Sequence, residues 1–252
     1  MNKFLDLLSQ GRKTSHSPIG FGSTLNSKPQ RQMLLIASVP NATAKSQRFL
    51  KSNVDALLFD ESILTVVPTF IDQLSDLPWG IHLSKQADDE PIKSNDIKSD
   101  FLVVHPSTRI DRHQYVTNTG IFLNVLPNMT DAFIRALDPL PIDGVTVRGF
   151  QSQPLTFDSL LTIASVRTMC DKYILVEVQD SLQASELSAL CDIGIDGILV
   201  NTDTSSINSI NQLAKTLDKL PRSKKPNQPI RTTAISSETK LGATRAEEHD
   251  KL

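Results

Sequence analysis

The chain has 252 residues, 39% of them hydrophobic, enough for one sizeable core, and it carries a formal net charge of −2 with a pI near 6.2. So neutral a balance argues against nucleic acid or an anionic membrane surface as partner, and no apolar run approaches the roughly 20 residues of a membrane helix. No apolar signal stretch opens the chain, and Cys170 and Cys191 lack metal-ligand spacing, so the expectation is a cytoplasmic protein whose cysteines are small buried hydrophobes.

Residues 2 to 9 place Phe4, Leu5 and Leu8 on one helical face and predict a short amphipathic helix that stops at Gly11 and closes the bottom of the fold. A loop rich in Ser, Lys, Gly and Pro completes residues 1–32. From Met33 onward, short runs of valine, isoleucine and leucine recur. Four of them share a pattern of one aspartate followed by an apolar stretch: Val54 to Asp60, Ser99 to His105, Ile142 to Arg148 and Ile195 to Asn201. The aspartates lie roughly 45 to 55 residues apart, and a further run fills each interval: Met33 to Val39, Trp79 to Leu83, Gly120 to Val125 and Tyr173 to Val178. Each repeat therefore holds two strands. Continuous apolar runs belong to parallel strands covered by helices, because half-exposed antiparallel strands alternate with polar residues.

Helical segments alternate with these strands. They are predicted from Asn41 through Leu50, Leu64 to Leu74, Met129 to Leu137, Phe157 to Met169, Leu182 to Leu190 and Ile207 to Leu220, with Thr130 and Ser181 as candidate caps. The alternation predicts a (β/α)8 barrel over residues 33–220, with an open doubly wound sheet as the rival. The connections Ser84 to Lys98 and Pro106 to Thr119 are polar and leave room for a partner there, such as a second copy of the chain. Residues 221–252 are too polar to pack and are expected to form a disordered tail.

Alternation along each strand sorts inside from outside. Leu57, Phe59, Leu102, Val104, Val145, Val147, Ile198 and Val200 share one parity and would lie beneath the helices. The opposite parity puts Ser38, Asp60, His82, His105, Asn124, Arg148, Glu177 and Asn201 inside, near the C-terminal strand ends. Barrel interiors are normally filled by branched apolar side chains, and each unpartnered buried polar group costs roughly 1 to 3 kcal/mol, so such a set is not there for stability. Catalytic groups of barrels come from these strand ends. The plainer reading has Ser38, Asn124 and Asn201 bonding loop backbone.

Arg148 and Glu177 would be neighbours, either as an ion pair or with Arg148 clamping an anionic substrate group and Glu177 acting as base. His105 and His82 complete the candidate acid–base set, while Asn124, Asn201, Asp60 and Ser38 would contact substrate. Asp60, His82 and His105 could alternatively hold a metal for hydrolysis. The repeat aspartates Asp55, Asp100, Asp143 and Asp196 lie at the opposite strand ends, where carboxylates bond backbone in tight helix-to-strand turns.

The segment Cys191 to Val200, with Gly194-Ile195-Asp196-Gly197-Ile198 at its centre, resembles the helix-to-strand turn of phosphate-binding and flavin-dependent (β/α)8 barrels, such as indole-glycerol-phosphate synthase, thiamine-phosphate synthase and the nitronate monooxygenases. The resemblance implies glycine-rich phosphate turns after the seventh and eighth strands. This chain instead has Gln179-Asp180-Ser181 and Thr202-Asp203-Thr204-Ser205-Ser206, whose acidic residues oppose a phosphate, and no cofactor follows from it. The expected activity is proton transfer on a small polar or anionic metabolite, as in a lyase or isomerase. A ligand-binding or scaffold barrel without catalysis and a metal-assisted hydrolase are the alternatives.

Overall fold

The structure is a computed structural model that describes residues 2–13, 31–40, 49, 52–61, 74, 77–83, 99–108, 118–126, 129–148 and 154–221. Eight parallel strands close on themselves: β1 (Leu34–Val39), β2 (Ala56–Asp60), β3 (Trp79–Leu83), β4 (Phe101–Val104), β5 (Gly120–Val125), β6 (Gly144–Val147), β7 (Tyr173–Val178) and β8 (Gly197–Asn201). β8 pairs with β1, Leu34 opposite Gly197 through Ser38 opposite Asn201, which removes the open sheet as an alternative. Among the described residues the helices are α1 (Lys3–Lys13), α2 (Asp131–Arg135), α3 (Phe157–Met169), α4 (Ala184–Ile193) and α5 (Ile207–Lys219). None is long and apolar enough to cross a membrane. The helices expected over residues 41–50 and 64–74, the polar connections and the C-terminal tail fall wholly or mostly outside the described residues.

Strand alternation divides the core in two. Leu57, Phe59, Leu102, Val104, Val145, Val147, Ile198 and Val200 belong to the cluster between sheet and helices, with Ile163, Val166, Leu187, Leu190, Ile210 and Leu213 facing them from α3, α4 and α5. Inside the barrel lie Leu34, Ile36, Ala56, Leu58, Phe101, Val103, Phe122, Leu175 and Leu199, joined from below by Phe4 and Leu8 of α1. Phe4 stacks on Phe101 with ring centroids 3.9 Å apart and meets Phe122 edge-on at 5.6 Å. These rings need room. A Cβ on Gly80 would sit 2.5 Å from Phe101, and one on Gly144 would sit 2.3 Å from Phe122.

α1 runs two residues past Gly11, which therefore does not end it. Instead Gly11 lies where a Cβ would press to 3.3 Å on the Gln32 carbonyl, so its smallness serves packing. Asn2 starts the helix by accepting the Phe4 and Leu5 N–H groups, while its own amide donates to the Asp100 and Asn118 carbonyls. Thr130 caps α2 as expected, whereas α4 is capped at Gln183, not Ser181, because Glu186 reaches back to accept the Gln183 N–H at 2.7 Å. Gly194 ends α4 in the left-handed conformation, φ 92°.

The repeat aspartates differ from the turn role expected of them. Each carboxylate accepts a backbone N–H from the strand preceding its own: Asp55 from Leu35 (2.8 Å), Asp100 from Trp79 (3.0 Å), Asp143 from Ile121 (2.8 Å) and Asp196 from Ile174 (2.9 Å). Each aspartate N–H returns a bond to the carbonyl of that same residue. The two strands of every repeat are thus clamped at the barrel bottom by one side chain.

Candidate active site

The register sorts the eight inward polar positions into two levels. Ser38, His82, Asn124 and Glu177 come from odd strands and share one layer, as side chains of alternate strands do in such barrels. Asp60 and Asn201 end β2 and β8, His105 and Arg148 follow β4 and β6 by one residue, and these four stand above that layer. Beneath is a layer of Leu58, Val103, Thr146 and Leu199, apolar except for Thr146.

Five of the eight converge, and charge links His105 to them. Asn124, 3% exposed, places Nδ2 3.1 Å from His82 Nε2, and its Oδ1 accepts the hydroxyl proton of Thr146, its cross-strand neighbour. His82 Nδ1 faces Asp60 Oδ1 at 4.0 Å. Arg148 Nε stands 3.3 Å from Glu177 Oε2. Burial pushes the His82 imidazole down to about 4, the Arg148 and His105 charges acting in the same direction and Asp60 against them, so His82 is neutral at pH 7. His105 sits at the mouth, its Nδ1 accepting the Ser107 N–H at 3.2 Å and lying 2.6 Å from the Ser107 hydroxyl. Accepting at Nδ1 leaves the proton of a neutral imidazole on Nε2.

Ser38 and Asn201 do not join this group. They are register partners across β1 and β8, and Asn201 Oδ1 accepts the Asp203 N–H at 2.8 Å, which is the plain loop-bonding role. Asn124, for which that role was equally open, bonds His82 and Thr146 instead. Among the described residues no group of three His, Cys, Asp or Glu side chains converges as a metal site, so Asp60, His82 and His105 do not form a ligand set.

Arg148 is unusual in another respect. Its Nε is buried yet makes no hydrogen bond, so the contact with Glu177 is one of charge at a suitable distance without the alignment that a bond requires. Across the mouth, Asp180 accepts the Ser209 hydroxyl in the first turn of α5, whose N-cap Ser206 also accepts the Ser209 N–H at 3.0 Å. A carboxylate already stands at this helix N-terminus, where an anionic ligand would otherwise be favoured. Thr146 is the site residue that sequence reading passed over; the available signal was a hydroxyl at inward parity in an otherwise apolar layer.

No protein-family model matches the chain, and no curated protein matches it in sequence. Solved structures do resemble it. A protein from Aquifex aeolicus VF5 aligns at TM-score 0.60 and 12% identity over 88% of this chain and 100% of its own. Thiamine phosphate pyrophosphorylase from Pyrococcus furiosus aligns at 0.56 and 10% identity over 75% and 96%, and a 3-hexulose-6-phosphate synthase at 0.55 and 14% over 74% and 98%. At such identities the likeness establishes the fold alone. The chain is a (β/α)8 barrel with a polar cluster at the C-terminal ends of its strands.

Proposed function

We propose that this barrel is an enzyme moving a proton on a small anionic metabolite, as a lyase or isomerase does. The observation that carries the reading is the buried Arg148 Nε without a hydrogen bond, beside a carboxylate and a neutral imidazole. Leaving a buried donor unsatisfied costs about 1 to 3 kcal/mol, more for a charged group, and a substrate oxygen on the guanidinium would recover it. In this reading Arg148 binds the anion, Glu177 and His105 exchange protons with the substrate, and Asp60, His82 and Asn124 orient it.

The two named barrels that resemble this one carry phosphorylated compounds in their names. In this chain the Asp180 carboxylate, bonded to Ser209 at the start of α5, disfavours a phosphate at that helix end, which supports Arg148 as the partner of the anion. A thermal-shift screen of carboxylate and phosphate metabolites tests the reading. A stabilising compound should lose its effect in Arg148→Met, and its conversion should fail in Glu177→Gln. Binding that is indifferent to Arg148, or full turnover in both Glu177→Gln and His105→Asn, would overturn it. Binding without conversion would favour the non-catalytic barrel.

A further inference from the structure

We propose that Thr146 is a positioning residue: its hydroxyl donates to the carboxamide oxygen of Asn124 and, together with Asp60, thereby places the ring proton of His82 on Nδ1. Thr146 is fully buried and shares its layer with Leu58, Val103 and Leu199. Valine has the same shape and would fill that place without a polar atom, so packing gives no reason for a hydroxyl there. Its hydrogen bond goes to Asn124 Oδ1.

The consequence follows from donor and acceptor chemistry. With Oδ1 held by Thr146, the amide presents its NH2 group to His82 Nε2, 3.1 Å away. An NH2 group only donates, so Nε2 must be bare, and a neutral imidazole then carries its proton on Nδ1. That nitrogen faces the Asp60 carboxylate at 4.0 Å, which favours the same tautomer from the opposite side. Thr146 and Asn124 are register partners on β6 and β5, so the sheet itself sets their spacing. Without the hydroxyl, Asn124 could rotate its amide and accept a proton from Nε2, reversing the tautomer. His82 would then turn a bare nitrogen toward Asp60, and a donor beside the substrate would become an acceptor. The use of that donor in proton transfer rests on the function proposed above; the tautomer does not.

Long-range 1H–15N correlation spectra of protein labelled with 15N-histidine, at pH 7, test this directly, with His82→Gln assigning the resonances. In the unmodified protein His82 Nε2 should resonate as a bare nitrogen and Nδ1 as a protonated one. Thr146→Val should move the Nε2 signal toward the protonated position, and Thr146→Ser, which keeps the hydroxyl, should leave it unchanged. A protonated Nε2 in the unmodified protein overturns the proposal, as does a valine variant with both signals unmoved. If the valine variant does not fold, Thr146→Ala removes the same hydroxyl and must move the same signal; an unmoved signal there overturns the proposal. Turnover is not read, so failure of the enzymatic reading leaves this result standing.

Discussion

Arg12 and Asp196 are joined by two parallel hydrogen bonds of 2.8 Å, Nε to Oδ1 and Nη2 to Oδ2, across 184 residues of sequence. The same guanidinium donates to the Asp171 and Lys172 carbonyls and lies 4.2 Å from the centroid of the Tyr173 ring. The Asp196 side chain is 1% exposed, and its other arginine, Arg167, stands 3.5 Å off. The pair ties α1 to the start of β8.

Arg12→Met should therefore destabilise the protein by about 2 to 4 kcal/mol, the cost of removing one charge of a largely buried pair and leaving Asp196 with only the more distant Arg167. Arg31→Met is the control: its partners Asp55 and Asp218 are 24% and 41% exposed. Although Arg31 is itself only 7% exposed, carboxylates that reach water are rehydrated when the arginine is removed, so this loss should be the smaller of the two. Urea unfolding of both variants checks the order. Equal losses would mean that the Arg12 pair is screened as well.

The glycines of the barrel interior should not be equally sensitive. The three atoms nearest an alanine Cβ at Gly80 are all in the Phe101 ring, at 2.5 to 2.6 Å, whereas alanine at Gly144 meets Phe122 and also the Tyr173 carbonyl at 2.7 Å. Each substitution overpacks the core at a cost of about 1 to 3 kcal/mol or more. Phe101→Leu should recover part of the loss in Gly80→Ala, because a side chain can be exchanged. Phe122→Leu should recover little in Gly144→Ala, because the backbone oxygen stays. Melting temperatures of the single and double variants give the comparison.

His82 should make stability depend on pH. Its folded value lies at about 4, below the 6.5 of an unfolded chain, so below pH 6.5 the unfolded state binds the extra proton first. Stability then falls as pH drops from 6.5 toward 4 and levels off below that, by on the order of 3 kcal/mol in all. His82→Gln should flatten this part of the profile. Parallel slopes for the two proteins between pH 6.5 and 4 would show that His82 does not titrate in this way.

For the proposed reaction, Arg148→Lys keeps the charge but loses the planar fork, and should weaken binding of the anionic ligand about 10- to 100-fold. Glu177→Gln should lower kcat about 100- to 10,000-fold while leaving that affinity within a few-fold. Calorimetric titration and initial rates separate the two effects. A fall in affinity in Glu177→Gln to match the loss of rate would make Glu177 a binding residue.

Alternation made the barrel wall and most of the mouth legible in the sequence. A strand residue has only two directions, so apolar Leu57 and Phe59 fix the direction of Asp60, and Val145 and Val147 fix that of Thr146. Thr146 was passed over because threonine suits any strand, and its meaning depends on Asn124, a neighbour that only the register supplies. Arg12 and Arg31 had no local signal, since each meets an aspartate brought close by closure of the sheet. The repeat aspartates were recognised as structural, but their bonds go to the preceding strand, which a reading of the turns alone does not reach. The Gln183 cap was missed because glutamine is a poor cap, and the capping interaction comes from Glu186.

The aspartate clamps join β1 to β2, β3 to β4, β5 to β6 and β7 to β8, and no aspartate side chain of the set bridges β2 to β3, β4 to β5 or β6 to β7. The barrel is therefore built of four stapled staves held side by side by backbone pairing. New termini should be tolerated between staves, as between Asp60 and Trp79, and resisted within one, as between Val39 and Ala56. Assembly from two half-chains should likewise succeed when the cut falls between β4 and β5 and fail when it falls between β5 and β6.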